Sequence, residues 1–165
     1  MTDAHSTEIA LAEIEQFLYR EARLADEHAY AEWEGLWTDD AHYWVPAADD
    51  RDPASTMSVI NDNRRRIATR IQQLETGRRY AQSPPSRLAR TISNVELIGV
   101  GDDPAGDLLV GASFVLVEAT ERGRHVWAGR LRLQLRPTDD GLRLARKTVD
   151  LVDRPWHLPT LAFLI

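Results

Sequence analysis

The pattern of apolar positions divides the chain into a helical first part and a strand-rich remainder. Leu11, Ile14, Leu18, Ala22 and Ala25 recur at helical spacing, with Phe17 and Leu24 beside them. Glu13, Glu15, Arg20, Glu21 and Arg23 fill the opposite side, so the stretch predicts an amphipathic helix of about five turns. Thr7 stands where a cap is needed, with Glu8 near the positive end of the dipole. A second short helix is predicted to carry Tyr30, Trp33, Leu36 and Trp37. Trp33 and Trp37, four apart, share a face. Thr38, Asp39 and Asp40 then read as a turn, and His42 to Val45 as a short strand stopped by Pro46.

Residues 47 to 56 show no periodicity and read as an exposed loop. Met57 to Ile60 is a short strand or the lead into the next helix. Asn61 or Asp62 is expected to cap that helix, Ile67, Ile71 and Leu74 to bury it, and Gly77 to end it. Pro84 and Pro85 mark a loop. The rest is strand-like. Leu88 to Val100 is the first long strand, with Val95 and Leu97 on one side. Leu109 to Glu118 is apolar on both faces and so reads as central. His125 to Arg136 alternates, with Leu131, Leu133 and Leu135 inward. Turns fall at Arg122-Gly123 and Asp140-Gly141. Leu142 to Val152 is the last strand, and its apolar phase changes between Leu144 and Val149, which predicts a bulge. Helices first and a meander afterwards give an α+β fold, one helical layer covering one face of a strongly curved, mixed or antiparallel sheet. A single domain is expected over residues 1–165, with a flexible leader at 1–6. The apolar tail within 155–165 is expected to pack on the domain or on a neighbouring subunit, the second being favoured.

Charge changes the picture by its placement. The net charge is -6, yet Arg64, Arg65, Arg66, Arg70, Arg78, Arg79, Arg87 and Arg90 lie between positions 61 and 90 against only Asp62 and Glu75. Residues 1–60 carry fourteen acidic residues against Arg20, Arg23 and Arg51. The cationic segment reads as a face for an acidic partner surface, as internal pairing with the first third, or as a solvated face. Arg66 and Arg70, four apart, call for a compensating group opposite them. Net acidity argues against a nucleic-acid partner. No run reaches membrane-spanning length, and the start MTDAHSTE has no signal-peptide pattern, so a cytoplasmic, membrane-free chain is expected.

Candidate chemistry is sparse. With no cysteine, the chain has neither a thiolate nucleophile nor thiolate ligands for an iron–sulfur cluster. The five histidines form no close-spaced metal motif. Asp26, His28 and Tyr30 are the best acid–base set, because histidine titrates near neutrality and a carboxylate can orient it. Their bland reading is a helix end whose side chains bind arginine or backbone. No nucleophile elbow or phosphate loop is present.

The segments DEHAYAEWEGLWTDDAHYWVP and DNRRRIATRIQQLETGRRYAQSPPSRLARTISNV resemble the small (beta) subunit of the Rieske-type aromatic-ring-hydroxylating dioxygenases. The likeness continues through RKTVDL to the terminus, and Trp33, Trp37, Tyr43, Pro84, Arg87, Ser93 and Asn94 match it. The resemblance implies a cone-shaped fold of the nuclear transport factor 2 type and a β3 trimer beneath three large (alpha) subunits, α3β3. It also implies that the large subunit carries the Rieske [2Fe–2S] cluster and the mononuclear non-haem iron. Ring dihydroxylation with O2 would occur there, with electrons from NAD(P)H passing through reductase and ferredoxin. This chain would be structural and cofactor-free. Arg64, Arg65, Arg66, Arg70, Arg78, Arg79 and Arg87, with Leu161, Phe163 and Ile165 of the tail, then become candidate subunit contacts. The alternatives are a self-sufficient dehydratase or isomerase on the same fold, using Asp26, His28 and Tyr30, and an unrelated assembly module.

Overall fold

A computed structural model describes residues 9–49, 52–78, 84–156 and 158–165. Helix α1 (Leu11–Asp26) and the short α2 (Tyr30–Glu34) lead into strand β1 (Trp37–Pro46). Strand β2 (Ser58–Asn63) runs directly into α3 (Arg64–Glu75). Strands β3 (Arg87–Val100), β4 (Leu108–Thr120), β5 (Gly123–Thr138) and β6 (Gly141–Leu151) follow. The six strands form one sheet in the order β2-β1-β6-β5-β4-β3. The β1–β6 pair is parallel and the others are antiparallel. Helix α1 lies against β3, α3 against β1 and β2, and α2 bridges the two longer helices.

The α+β class and the mixed sheet agree with the sequence, but the strongly curved sheet and the cone do not form. The sheet is open, with β2 and β3 as its two edges. Closure would require tilted, staggered edge strands that pair with one another. Here a six-residue strand and a fourteen-residue strand stand at opposite sides of four others. The space between helices and sheet is filled by Trp33, Trp37, Tyr43, Trp127 and Phe163, all buried.

Helix α1 buries Ile14, Phe17, Leu18, Ala22, Leu24 and Ala25, as its stripe requires. Two assignments on it change. Leu11 is exposed, because it sits in the first turn. Glu21, placed on the polar side, is buried. It follows Ile14 by seven residues and Leu18 by three, which is the same helical face. Ala10 occupies the N-cap without a side-chain bond, and Thr7 and Glu8 lie outside the described residues. Strand β1 begins at Trp37 and absorbs the expected turn at Thr38–Asp40, since Leu144 N–H donates to Leu36 O (2.8 Å) and draws the segment beside β6. Trp33 and Trp37 nevertheless meet edge to face at 5.2 Å.

The cap of α3 is Asn63, whose Oδ1 accepts from Arg66 N–H (3.0 Å). The two expected caps are used elsewhere: Asn61 Oδ1 bonds His42 Nε2 (2.8 Å) and Asp62 pairs with Arg70. Ile67, Ile71 and Leu74 are buried, and Gly77 ends the helix with a φ of +59°. The bulge in β6 is real. Gln134 faces Arg146 while Leu135 faces Leu144, so Ala145 is the extra residue. Strand β3 is irregular around Asn94, whose φ is +52°, and its outer positions Leu97, Ile98 and Val100 are exposed. Strand β4, expected to be central, is the inner neighbour of the edge strand β3, and only one of its faces is covered: Val115 and Val117 stand exposed on the side away from the helices.

Replacing Asn63 by Ala should cost about 1 kcal/mol of stability, and Asn63→Asp much less, because only the latter keeps an acceptor for the orphan N–H. Urea unfolding of the three proteins measures this. Equal midpoints for the Ala variant and the parent would show that the cap contributes nothing.

Candidate functional site

The three acid–base candidates end up in different bonds. Helix α1 closes with Ala29 N–H on Leu24 O (2.9 Å) and His28 N–H on Ala25 O (3.3 Å). This is the paired-bond ending that needs a left-handed residue after the cap, and His28 supplies it with a φ of +56°. A non-glycine residue there carries a conformational cost of about 1 kcal/mol. Its ring explains why histidine stands there. Nε2–H donates to Ser86 O (2.9 Å), since a carbonyl can only accept. Nδ1 is then the acceptor for Tyr30 O–H (3.2 Å). Burial, and then the nearby Glu75 carboxylate, push the Tyr30 phenol above its ordinary pKa. Asp26 is turned elsewhere. Its carboxylate takes Arg90 Nε (2.6 Å) and Arg90 N–H (3.0 Å), and no hydrogen bond joins it to His28.

A buried ionic group lies on the other side of Asp26. Lys147, the only lysine of the chain, is 1 % exposed and donates to Glu21 Oε1 at 2.7 Å. Glu21 is 2 % exposed and also accepts from Trp33 Nε1 (2.7 Å). The Lys147 ammonium sits 5.9 Å from the Tyr43 ring centre. Tyr43 O–H donates to Ile165 O (2.6 Å) and accepts from Ile165 N–H (3.0 Å), while Arg90 Nη2 donates to Leu164 O (2.6 Å). Burial strongly disfavours the charged forms here. It lowers the Lys147 pKa despite the attraction of Glu21. It would raise that of Glu21, but Lys147 and Arg90 more than offset it, so the Glu21 carboxyl lies below its usual range. Burial also raises the Tyr43 phenol. The sequence carried one signal of this group, an acidic residue at a core position of α1.

A second buried carboxylate, Glu118, accepts from Ser86 O–H (2.6 Å) and Trp127 Nε1 (2.9 Å). Ser86 thus receives the His28 bond on its carbonyl and gives its hydroxyl to β4, tying α1, the β3 lead-in and the sheet together.

The proposed contact residues separate. Arg64 pairs with Glu34 (2.9 Å) and Arg70 with Asp62 (2.6 Å), and Arg66 Nη1 donates to Asn61 O (3.1 Å). Arg65, Arg78 and Arg87 are exposed and, among the described residues, pair with no carboxylate. Arg79 lies outside the described residues. At the tail, Leu161 is half-buried, and Phe163, Leu164 and Ile165 sit in the chain's own core, where Phe163 meets Trp127 edge to face at 5.5 Å. Among the described residues no three His, Cys, Asp or Glu side chains converge as metal ligands, and no helix is long and apolar enough to cross a membrane.

Comparison with known proteins adds the lineage. A family model described as ring hydroxylating beta subunit matches residues 20–155. The toluate 1,2-dioxygenase subunit beta of Pseudomonas putida is 37 % identical over 100 residues, 57 % of this chain and 62 % of that protein, which is under two thirds of its length. The biphenyl 2,3-dioxygenase subunit beta of Rhodococcus jostii (strain RHA1) is 30 % identical over 154 residues, 86 % of this chain and 81 % of that protein. Among solved structures, the beta subunit of the benzoate 1,2-dioxygenase from Burkholderia mallei superposes with a TM-score of 0.76 at 27 % identity, covering 92 % of this chain and 97 % of that one. A naphthalene 1,2-dioxygenase structure gives a TM-score of 0.80 at 23 % identity, covering 99 % and 89 %, a likeness of fold.

Two substitutions test the geometry. His28→Gly should be more stable than His28→Ala by about 1 kcal/mol, since both lose the ring bonds but only glycine relaxes at positive φ. Thermal or urea unfolding decides, and an alanine variant as stable as the glycine one would contradict the strain. Lys147→Met should cost about 3–5 kcal/mol at pH 7, and adding Glu21→Gln should recover part of it, because the single change strands a buried carboxylate. The pH dependence has a sign. In the parent, the lowered Glu21 pKa contributes stability above its unfolded value near 4.5, and this is lost as pH falls through the lower folded value. In Lys147→Met the nearest cation is gone and burial raises Glu21, so the deficit should shrink as pH falls from 7 towards 4.5. A deficit independent of pH would mean that Glu21 is not the stranded group.

Proposed function

Because the chain belongs to the ring-hydroxylating beta subunit family, whose fold is nuclear transport factor 2-like, we propose that it is the non-catalytic beta subunit of a multicomponent aromatic-ring dioxygenase. On this reading it associates with a catalytic large subunit, trimerises, and supports an α3β3 assembly. The large subunit holds the Rieske [2Fe–2S] cluster and the mononuclear iron, receives NAD(P)H-derived electrons through reductase and ferredoxin, and dihydroxylates the aromatic ring. The donor set of this chain does not fit either centre: it has no cysteine, and its described histidines and carboxylates do not converge. What its own residues supply is a rigid body with surfaces for contact.

The observation that carries the assembly reading is the uncovered face of the sheet. All three helices lie on one side, and the outer rows of β3–β5 present aliphatic side chains to water. Val117 pairs across strands with Val126, and Val115 with Ala128, whose carbonyl takes Val152 N–H (2.9 Å). Val115 is 50 %, Val126 55 % and Ile98 66 % exposed. Ile98 adds a second apolar spot over Gly111, where a Cβ would stand 3.1 Å from its Cδ1, beyond the Ser113–Arg130 bond. Exposed apolar side chains clustered on a sheet face mark a protein contact. Arg65, Arg78 and Arg87 remain available for carboxylates of a partner. The isomerase-type alternative gains nothing comparable, since Asp26 is held by Arg90 and both His28 ring nitrogens are engaged.

Co-expression with a candidate large subunit, followed by analytical ultracentrifugation, tests the proposal. The parent should sediment as a self-associated species and copurify with the large subunit. Val115→Glu with Val126→Glu should abolish self-association while leaving the melting temperature nearly unchanged, because both positions are exposed in the isolated chain. A monomeric parent that ignores the large subunit would remove the reading.

A further inference from the structure

A groove of about 490 Å3 opens at the C-terminal end of α3, facing away from the apolar band. Ala29, Leu74, Pro85 and Ala162 give it an apolar floor, and Glu32 and Glu75 stand at its rim. Both glutamates are exposed, and among the described residues neither side chain makes an ion pair or hydrogen bond. That sets them apart from the carboxylates nearby, since Glu34 holds Arg64, Asp62 holds Arg70 and Asp26 holds Arg90.

The position makes this charge costly. Four arginines occupy the first seven residues of α3, at the positive end of its dipole, while its last turn carries Glu75 and no basic residue. The terminal carbonyls and the Glu75 carboxylate therefore add to one negative field. That field reaches into the groove: Tyr30, which lines it, has its phenol pushed above the ordinary pKa by burial and then by Glu75. Arg78, beside the terminal Gly77, pairs with neither glutamate.

A cation on an apolar stem complements every part of this groove. The methylenes of an arginine would lie on Leu74, Ala29 and Ala162, and its planar fork would reach the rim carboxylates. Tyr30 offers a ring to the same cation. We propose that the groove receives an arginine side chain of the large subunit. This rests on the beta-subunit reading above and adds to it a contact of opposite polarity to the arginines of α3, here with this chain supplying the carboxylates.

The test uses the full-length chain and the purified large subunit, with the dissociation constant measured by surface-immobilised titration at low and high salt. Glu32→Gln with Glu75→Gln should raise Kd at low salt by at least about tenfold, as expected when a partner cation loses its counter-ions. Glu32→Lys with Glu75→Lys should raise it by at least about a hundredfold. The salt dependence should flatten in the glutamine pair, while melting temperature and self-association stay as in the parent. Glu13→Gln, an exposed acid on α1, should change nothing. A parent that binds the large subunit, with both double variants binding within about twofold of it, overturns the groove contact and leaves the beta-subunit reading intact. A parent that does not bind removes the reading on which the contact depends. Should the lysine pair fail to fold, the glutamine pair decides by the same criterion.

Discussion

The burial of Lys147 against Glu21 is the constraint on which the interior depends. Two opposite charges are withdrawn almost completely from water, at a cost that their attraction alone does not recover unless the remaining donors and acceptors are satisfied. The surroundings do this from several elements. Trp33 of α2 donates to the same carboxylate oxygen, Tyr43 of β1 places its ring near the ammonium, and Arg90 of β3 stands close enough to lower Glu21 further. Arg90 is itself neutralised by Asp26 at the end of α1. A slip of one residue in α1 or in β6 would separate the pair and strand both ions. The pair therefore selects the register of helix on sheet more than it adds to total stability.

The same group fixes the chain's last segment. Tyr43 meets both the N–H and the carbonyl of Ile165, and Arg90 takes the carbonyl of Leu164, so backbone that would otherwise be buried without partners is satisfied. Phe163, Leu164 and Ile165 then complete the core beside Trp127. From the sequence this run read as packed on the domain or on a neighbouring subunit, the second being favoured. Its cover comes from Tyr43, Arg90 and Trp127, all distant in sequence, and no local pattern announces that.

What was legible was periodic. The stripe of α1, the stripe of α3 with its terminal Gly77, the alternation of β5 and the bulge of β6 all follow from spacing within one element. What was not legible depended on a distant partner. Glu21 falls on the Ile14–Leu18 face by spacing, but that a carboxylate is tolerated there is not legible until Lys147, 126 residues away, is known to lie across from it. Thr38 to Asp40 read as a turn until Trp37 before them and His42 after them are seen to pair with β6. Asn63 takes the cap because β2 draws Asn61 and Asp62 into bonds with His42 and Arg70. The curvature of a sheet is likewise set by which edges meet, and here they do not. For the candidate site, spacing gave no sign of how the side chains relate: Asp26 and His28, two apart in sequence, belong to separate bonding systems.

That separation follows from how α1 ends. A helix finished by two bonds from beyond its cap needs a left-handed residue, and glycine would supply it without strain. Histidine accepts the strain and uses its ring to reach Ser86 on one side and Tyr30 on the other. Ser86 passes the connection to Glu118 in β4, and Tyr30 carries it to the wall of the groove beside α3. His28 and Tyr30 thus tie the end of α1 to the lead-in of β3 and to the wall of the groove, while Asp26 ties it to Arg90. In the interior, Lys147 and Glu21 are held by each other, and Glu118 by Ser86 and Trp127. The bare sheet face and the charged ends of α3 stay exposed to other molecules.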